Sequence, residues 1–190
     1  MKFILLSKAE RGVDDDSCRF AGMIETRPAA IEDAEPISEL LTANSPDRGG
    51  ALHGDWPIDA VAKWITGGAL IVVAMDGPKL VGALFTSEKA QASAPPVVAM
   101  LKAWPGSADA YVYGPVCIDQ AARGLGVLEA MYARAVDRLP GREAILFINA
   151  SNKRSLKAHA RLGMVQVASF TLGEQAFIVL SSGNEDIARK

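Results

Sequence analysis

The chain has 190 residues, 49% of them apolar, and a formal net charge of −2. That length suits one well-buried core, and no apolar run approaches the roughly 18 residues needed to span a bilayer. Charges of both signs are mixed without a basic stripe, which argues against nucleic acid and membrane surfaces as partners.

Lys2-Phe3-Ile4-Leu5-Leu6 joins a charge to an apolar run, but the run is too short for a signal-peptide core. Asp14-Asp15-Asp16 and Gly22 read as loop, so residues 1–22 are expected to be an extension without a catalytic role, with Met23 an alternative initiator. A single domain is expected over 23–182, with a polar tail at 183–190. Cys18 and Cys117 lie far apart, which suits a reducing cytosol better than a disulfide framework. Cys117 reads as a small buried hydrophobe.

Ile24 to Pro28 is read as a first strand, and Asp33 is placed to cap a helix that carries Pro36 in its first turn. A glycine-rich connection from Ser45 to Trp56 contains His53 and Trp56. Ala69–Met75 and Lys79–Ser87 are apolar strands on either side of Asp76-Gly77-Pro78, a hairpin by its turn chemistry. A helix from about Val97 to Trp104 is bounded by Pro95-Pro96 and Pro105-Gly106. The fourth strand carries Tyr113 and Val116-Cys117-Ile118. Gly114-Pro115 lies inside it. Proline has no N–H for a ladder, so a bulge or a strand edge must interrupt the pairing there, and both readings stand.

The strand stops at Asp119, and a turn with Gly124 and Gly126 opens a helix whose apolar stripe is Leu128, Met131, Tyr132, Ala135 and Leu139. Strand, glycine turn and helix together aim free backbone N–H groups at an anion, and Arg123 at the mouth can add a charged fork. Two glycines also serve turn geometry alone. Beyond Pro140-Gly141, Ala144–Ile148 reads as a buried strand. A helix capped by Asn152 then runs to Leu162, with Gly163 as its C-cap and Met164 as the apolar residue that follows. Met164–Phe170 and Gln175–Leu180 close the domain as a hairpin around Gly173. The order is β-α-α-β-β-α-β-α-β-α-β-β.

Arg123-Gly-Leu-Gly126 followed, one strand later, by Asn152-x-x-Ser155-x-x-x-His159-x-x-x-Gly163-Met164 resembles the GNAT superfamily of acyl-CoA-dependent N-acetyltransferases, as a bacterial-type single-domain member. The family pattern is Arg/Gln-x-x-Gly-x-Gly/Ala, then Asn-x-x-Ala-x-x-x-Tyr-x-x-x-Gly-Phe. The resemblance covers roughly Met23 to Ser182. It implies an α/β (α+β) fold with a mixed, mostly antiparallel sheet of about seven strands flanked by helices, splayed between the fourth and fifth strands. It also implies acetyl-CoA as co-substrate, no metal, and attack by a primary amine of a small molecule or peptide in a ternary complex. A cytoplasmic monomer or homodimer is expected. The alternative is a non-catalytic acyl-CoA-binding sensor of the same fold. A dinucleotide-binding domain is disfavoured, because GxGxxG is absent and hairpins occupy both ends.

By the same resemblance, Val116, Cys117, Ile118, Arg123, Gly124, Leu125, Gly126, Val127, Leu128, Asn152, Ser155 and His159 would contact the cofactor. His159 stands where relatives have the tyrosine that protonates the departing thiolate, and histidine can also donate a proton or merely hydrogen-bond the sulfur. Leu128 stands where the last Gly or Ala of the pyrophosphate motif belongs. Glu88 and Tyr113 are positional candidates for the base that deprotonates the amine. His53 and Trp56 fall in the loop that lines the acceptor site in relatives.

Overall fold

Asp76-Gly77-Pro78 makes the expected hairpin, joining β2 (Ile71–Asp76) to β3 (Lys79–Glu88) with Asp76 opposite Lys79. The computed structural model describes residues 24–183 apart from 51 and 53. The expectations for residues 1–22, for Cys18, for His53 and for most of the tail lie outside the described residues. β1 (Glu25–Pro28) extends the hairpin antiparallel along the free edge of β2. β6 (Val165–Leu172) and β7 (Gln175–Ser181) form the second hairpin, and β7 pairs antiparallel with β5 (Ala144–Asn149). β4 (Tyr111–Ile118) joins the two halves, antiparallel to β3 and parallel to β5. The result is one seven-stranded mixed sheet in the order β1-β2-β3-β4-β5-β7-β6.

The inner strands are apolar on both faces because helices cover both. Ile71, Val73, Ala83 and Phe85 pack against α1 (Ala34–Ala43) and α2 (Ile58–Thr66). Val72, Ala74 and Leu84 meet Val127, Met131 and Ala135 of α4 (Val127–Arg138) on the other face. α3 (Pro95–Ala103), with prolines in its first turn, buries Met100 against Val112, Ile145 and Val179 on the α1/α2 side. α5 (Lys153–Arg161) lies on the α4 side. Gly82 sets the approach of α4: a Cβ there would sit 2.9 Å from Val127 Cγ1 and 3.0 Å from Met131 Sδ. Burying Val127 and Met131 stabilises this contact by roughly 1.5–3 kcal/mol per side chain.

One local expectation changes and another is resolved. Asp33 does not cap α1 through its side chain, because Ile31–Asp33 already form a 3₁₀ turn that runs straight into the helix. Its carboxylate instead accepts the Ala30 N–H at 2.7 Å and both terminal nitrogens of Arg27 at 2.6 and 2.8 Å. The Arg27 guanidinium holds this carboxyl below its ordinary range. Gly114-Pro115 meets both readings, since β4 has no β5 partner beyond Val112. It produces a bulge, with three steps of β4 (Tyr113 to Val116) set against two of β3 (Thr86 to Leu84).

Candidate active site

The bulge lies where β4 parts from β5. Only Tyr111–Ala144 and Val112–Ile145 form parallel pairs, and from Tyr113 to Ile118 the β5 side of β4 has no ladder partner. β5 meanwhile continues to pair with β7 through Asn149. Pro115 brings no N–H to either neighbour. The sheet therefore contains a wedge, closed at Val112 and open towards Ile118, with an unpaired strand edge on its β4 side.

The open end of the wedge runs into the glycine turn. Asp119 anchors the start of the turn, accepting the Ala121 N–H at 2.8 Å and pairing with Lys79 at 2.7 Å. Gly124 and Gly126 then adopt φ of 85° and 80°, a left-handed conformation that only glycine takes without strain. The helix α4 starts with no side-chain cap. Among the described residues, the N–H groups of Gly124, Gly126, Val127, Leu128 and Glu129 find no acceptor. A Cβ built on either glycine would meet nothing within 4 Å. Five uncapped donors under open space form an anion cradle, and the helix dipole adds to its positive potential.

The N-terminus of α5 is closed from within. Asn152 Oδ1 accepts the Ser155 N–H at 3.0 Å, so this side chain works as the cap. At the other end, Gly163 N–H bonds Ala160 O and Met164 N–H bonds His159 O, a Schellman closure with Met164 buried. Between these ends, His159 is 5% exposed and Tyr113 is 3% exposed. The Tyr113 ring, at the closed end of the wedge, stands edge-on to Tyr132 of α4 (centroids 5.9 Å apart) and to His159 of α5 (5.6 Å). His159 Nδ1 lies 2.9 Å from the Ser155 carbonyl oxygen, which can only accept, so Nδ1 carries the proton. Burial pushes the His159 pKa below 6.5 and so keeps the ring neutral near pH 7. Its Nε2 and the Tyr113 hydroxyl are both buried without a partner among the described residues.

Neither a protein-family model nor a curated protein sequence matches the chain. Its backbone does match solved structures. A GNAT-family acetyltransferase from Bacillus cereus superposes with a TM-score of 0.63 at 15% identity, over 84% of this chain and 96% of that one. The chain has the GNAT fold. YncA of Salmonella typhimurium, solved with its cofactor acetyl-CoA, gives 0.62 at 17% identity over 83% of this chain and 92% of its own. Arabidopsis thaliana NAA60, solved in complex with acetyl-CoA, gives 0.62 at 13% identity over 84% and 97%.

Within this GNAT fold the residues singled out from the sequence divide into groups. Val116–Ile118 lie on the strand edge without a ladder partner, where Arg123 takes the Ile118 carbonyl. Gly124, Gly126, Val127 and Leu128 supply uncapped amides, while the Leu125 N–H bonds Ala122 O at 3.4 Å. Tyr113 and His159 meet, whereas Glu88 stands apart, opposite Tyr111 in the paired part of β4. There the Arg142 guanidinium takes both Glu88 oxygens, at 3.0 and 2.7 Å, and holds the carboxyl below its ordinary range. A carboxylate so engaged is a weak base. Arg123 does not reach over the cradle. Its Nε donates to Ile118 O at 3.2 Å and a terminal nitrogen donates to Asn44 Oδ1, which ties the turn to the end of α1. Cys117 is buried on the α1 side, 3.6 Å from Leu40 O, and burial pushes its thiol up to about 12. Leu128 is 8% exposed yet belongs to none of the three apolar clusters. Trp56 packs against Trp64 and Phe85, with Ser38 donating to its carbonyl.

Two residues escaped the sequence reading. Asn44 is 79 positions from its partner Arg123, and nothing local marks it. Glu143 is 2% exposed and accepts from Trp104 Nε1, the Ser107 N–H and Ser181 Oγ at 3.1, 2.6 and 2.6 Å. A lone glutamate before an apolar strand looks like any solvated flank. Among the described residues no group of His, Cys, Asp and Glu could hold a metal, and no helix is long and apolar enough to cross a membrane.

Proposed function

We propose that the chain is an N-acetyltransferase that moves an acetyl group from acetyl-CoA to a primary amine of a small molecule or peptide, by direct attack in a ternary complex in the cytoplasm. One observation carries this reading: an unpaired strand edge and a cluster of five unpartnered N–H groups lie end to end along Tyr113–Glu129. Acetyl-CoA has the complementary order, a polyamide arm ending in a pyrophosphate. The amides of Gly124 and Gly126–Glu129 would bind the pyrophosphate oxygens through charge-assisted hydrogen bonds. The edge from Val116 to Ile118 would take the pantetheine amides as a missing strand, since its polar groups on that side have no ladder partner. Lying near the bulge, the same edge would present an N–H to the carbonyl oxygen as negative charge develops on it. The structural neighbours solved with acetyl-CoA support the identity of the co-substrate.

Placing both reactants in one cleft supplies much of the acceleration. An alkylammonium with a pKa of roughly 10 must first lose a proton. The Tyr113 hydroxyl is unsuited to that task, because burial pushes its pKa well above 10. Glu88 is unsuited too while Arg142 holds it. Solvent water reaching the wedge is the base that remains.

The deciding experiment is turnover of acetyl-CoA with a panel of amines, followed as free thiol, alongside calorimetric titration with CoA. Thiol release that depends on an amine is the expected result. Binding without turnover by any amine would assign the sensor role instead, and no binding would overturn both.

A further inference from the structure

One carbonyl on the wedge edge is held by a side chain. The Asp119 N–H donates to Val81 O at 2.8 Å, so Asp119 and Cys117 turn their backbone groups towards β3. Val116 and Ile118 therefore turn theirs into the wedge. Arg123 Nε donates to Ile118 O at 3.2 Å, and a terminal nitrogen of the same guanidinium donates to Asn44 Oδ1. Asn44 is fixed in turn. Its Nδ2 donates to Leu40 O at 2.9 Å, which leaves Oδ1 for the arginine, and its backbone carbonyl accepts the Leu52 N–H at 3.1 Å. Gly50 folds back over it with its N–H on Ser45 O at 2.9 Å, so closely that a Cβ would stand 1.8 Å from Asn44 O. A continuous set of contacts thus runs from the β4 edge, at the open end of the wedge, through Arg123 and Asn44 to Leu52.

The two sides of the sheet differ along this edge. On the α4/α5 side the buried Tyr113 ring meets Tyr132 and His159, and Val116 and Ile118 pack into the same apolar cluster. Val112 faces α3 and Tyr113 faces α4, so Gly114 follows on the side of α1, α2 and α3. It brings no side chain, and a Cβ there would meet nothing within 4 Å. That side is the clear approach for a second reactant, and it is the side of the connection that Asn44 begins.

We propose that Arg123 and Asn44 are positioning residues for the amine: together they fix the α1–α2 connection against the wedge edge and so set where the acceptor stands. This rests on the proposed function, and it takes Arg123 out of phosphate binding, the part its place in the sequence suggests. Neither residue touches a reacting atom. A guanidinium suits the task because its N–H groups form a rigid planar fork that reaches two acceptors at once, whereas an ammonium on a flexible stem does not. The effect on rate follows from placement, since displacing a reactant by about 1 Å costs up to roughly a hundredfold.

The test uses Arg123→Met, Arg123→Lys, Asn44→Ala and the double variant Arg123→Met/Asn44→Ala. Two quantities are measured: CoA affinity by calorimetric titration, and kcat/KM for the amine that the wild-type protein turns over fastest. In each variant kcat/KM for the amine should fall about tenfold, and no further in the double variant, because the two side chains act through one contact. CoA affinity should be unchanged or raised, since Ile118 O is left free for the arm. Arg123→Lys keeps the charge without the fork and should behave as Arg123→Met does. The opposite pattern overturns the proposal: CoA binding about tenfold weaker in Arg123→Met, restored by Arg123→Lys and untouched in Asn44→Ala, which is the mark of a charge on the phosphates. Amide hydrogen exchange gives a readout that needs no turnover. The Leu52 N–H should exchange about tenfold faster in Arg123→Met as well as in Asn44→Ala. A Leu52 amide indifferent to Arg123 would also overturn the proposal. If the wild-type protein turns over no amine, the proposed function fails and this inference with it.

Discussion

Val112 of β4 and Ile145 of β5 form the last parallel pair of the sheet, and the next residue, Tyr113, already has no partner on β5. The cause is local. Gly114 and Pro115 add one residue to β4 relative to β3, and the proline offers no N–H, so the strand keeps its β3 partner and loses its β5 partner. The wedge is thus a consequence of two consecutive residues in an otherwise apolar strand.

The cradle should be sensitive at Gly126. Its φ of 80° makes Gly126→Val cost about 1–2 kcal/mol in backbone strain, and the added side chain enters the open space over the free amides. CoA affinity should fall about tenfold or more, as expected from losing one charge-assisted hydrogen bond. Gly173→Val, in the β6–β7 hairpin at φ 60°, is the control: similar strain, unchanged affinity. Titration with CoA and thermal melts of both variants separate the two effects.

Leu128 is buried in the first turn of α4, next to the free amides of the cradle. It lies outside the three apolar clusters. Leu128→Ala should therefore cost about 2 kcal/mol of stability, the low end for a buried leucine, with CoA affinity unchanged or improved because nothing at that position binds the phosphates through a side chain. Urea denaturation and CoA titration measure the two quantities independently. A large loss of affinity at full stability would contradict this account.

Glu143 fastens the segment between α3 and β4. Burial alone would push its carboxyl up, but the hydrogen bonds from Ser181, Ser107 and Trp104 outweigh it and hold the pKa below 4.5. A depressed carboxyl contributes stability that is present above its unfolded value and lost as pH falls through its folded value. Glu143→Gln, which turns an amide donor towards existing donors, should therefore cost about 1–3 kcal/mol near pH 7. The difference from wild type should shrink below pH 4.5. Denaturation curves at neutral pH and near pH 4 test both parts.

His159 should make the fold acid-sensitive in a different window. Its folded pKa lies below the unfolded value of 6.5, chiefly through burial, so the unfolded chain binds a proton that the native state refuses. Stability is then complete above pH 6.5 and declines as pH falls from there towards the folded pKa. His159→Gln should flatten this slope below pH 6.5 while leaving the Glu143 window intact. Melting temperatures across the range decide it, and equal slopes in both proteins would show that His159 does not titrate on unfolding.

The sequence by itself determined the element order, because each element is written in local terms. Asp76-Gly77-Pro78 can only be a turn between apolar runs, the 128–139 stripe has helical period, and Gly163-Met164 closes a helix through its own last carbonyls. It also located the glycine turn and the Asn152 cap, whose partners lie within three residues. What only the tertiary structure decided are the relations between distant segments. Asn44 claims Arg123, Arg142 claims Glu88, and two donors from the α3–β4 connection and one from β7 converge on Glu143. Asp33, a helix cap by local rule, was turned back by Arg27 and Ala30. Charged groups bond whichever partner the fold brings within about 3 Å, and a linear pattern does not encode that distance. The tautomer of His159 belongs to the same class: a neighbouring carbonyl and the burial supplied by β4 and α4 settle which nitrogen is free, and therefore what the ring can do.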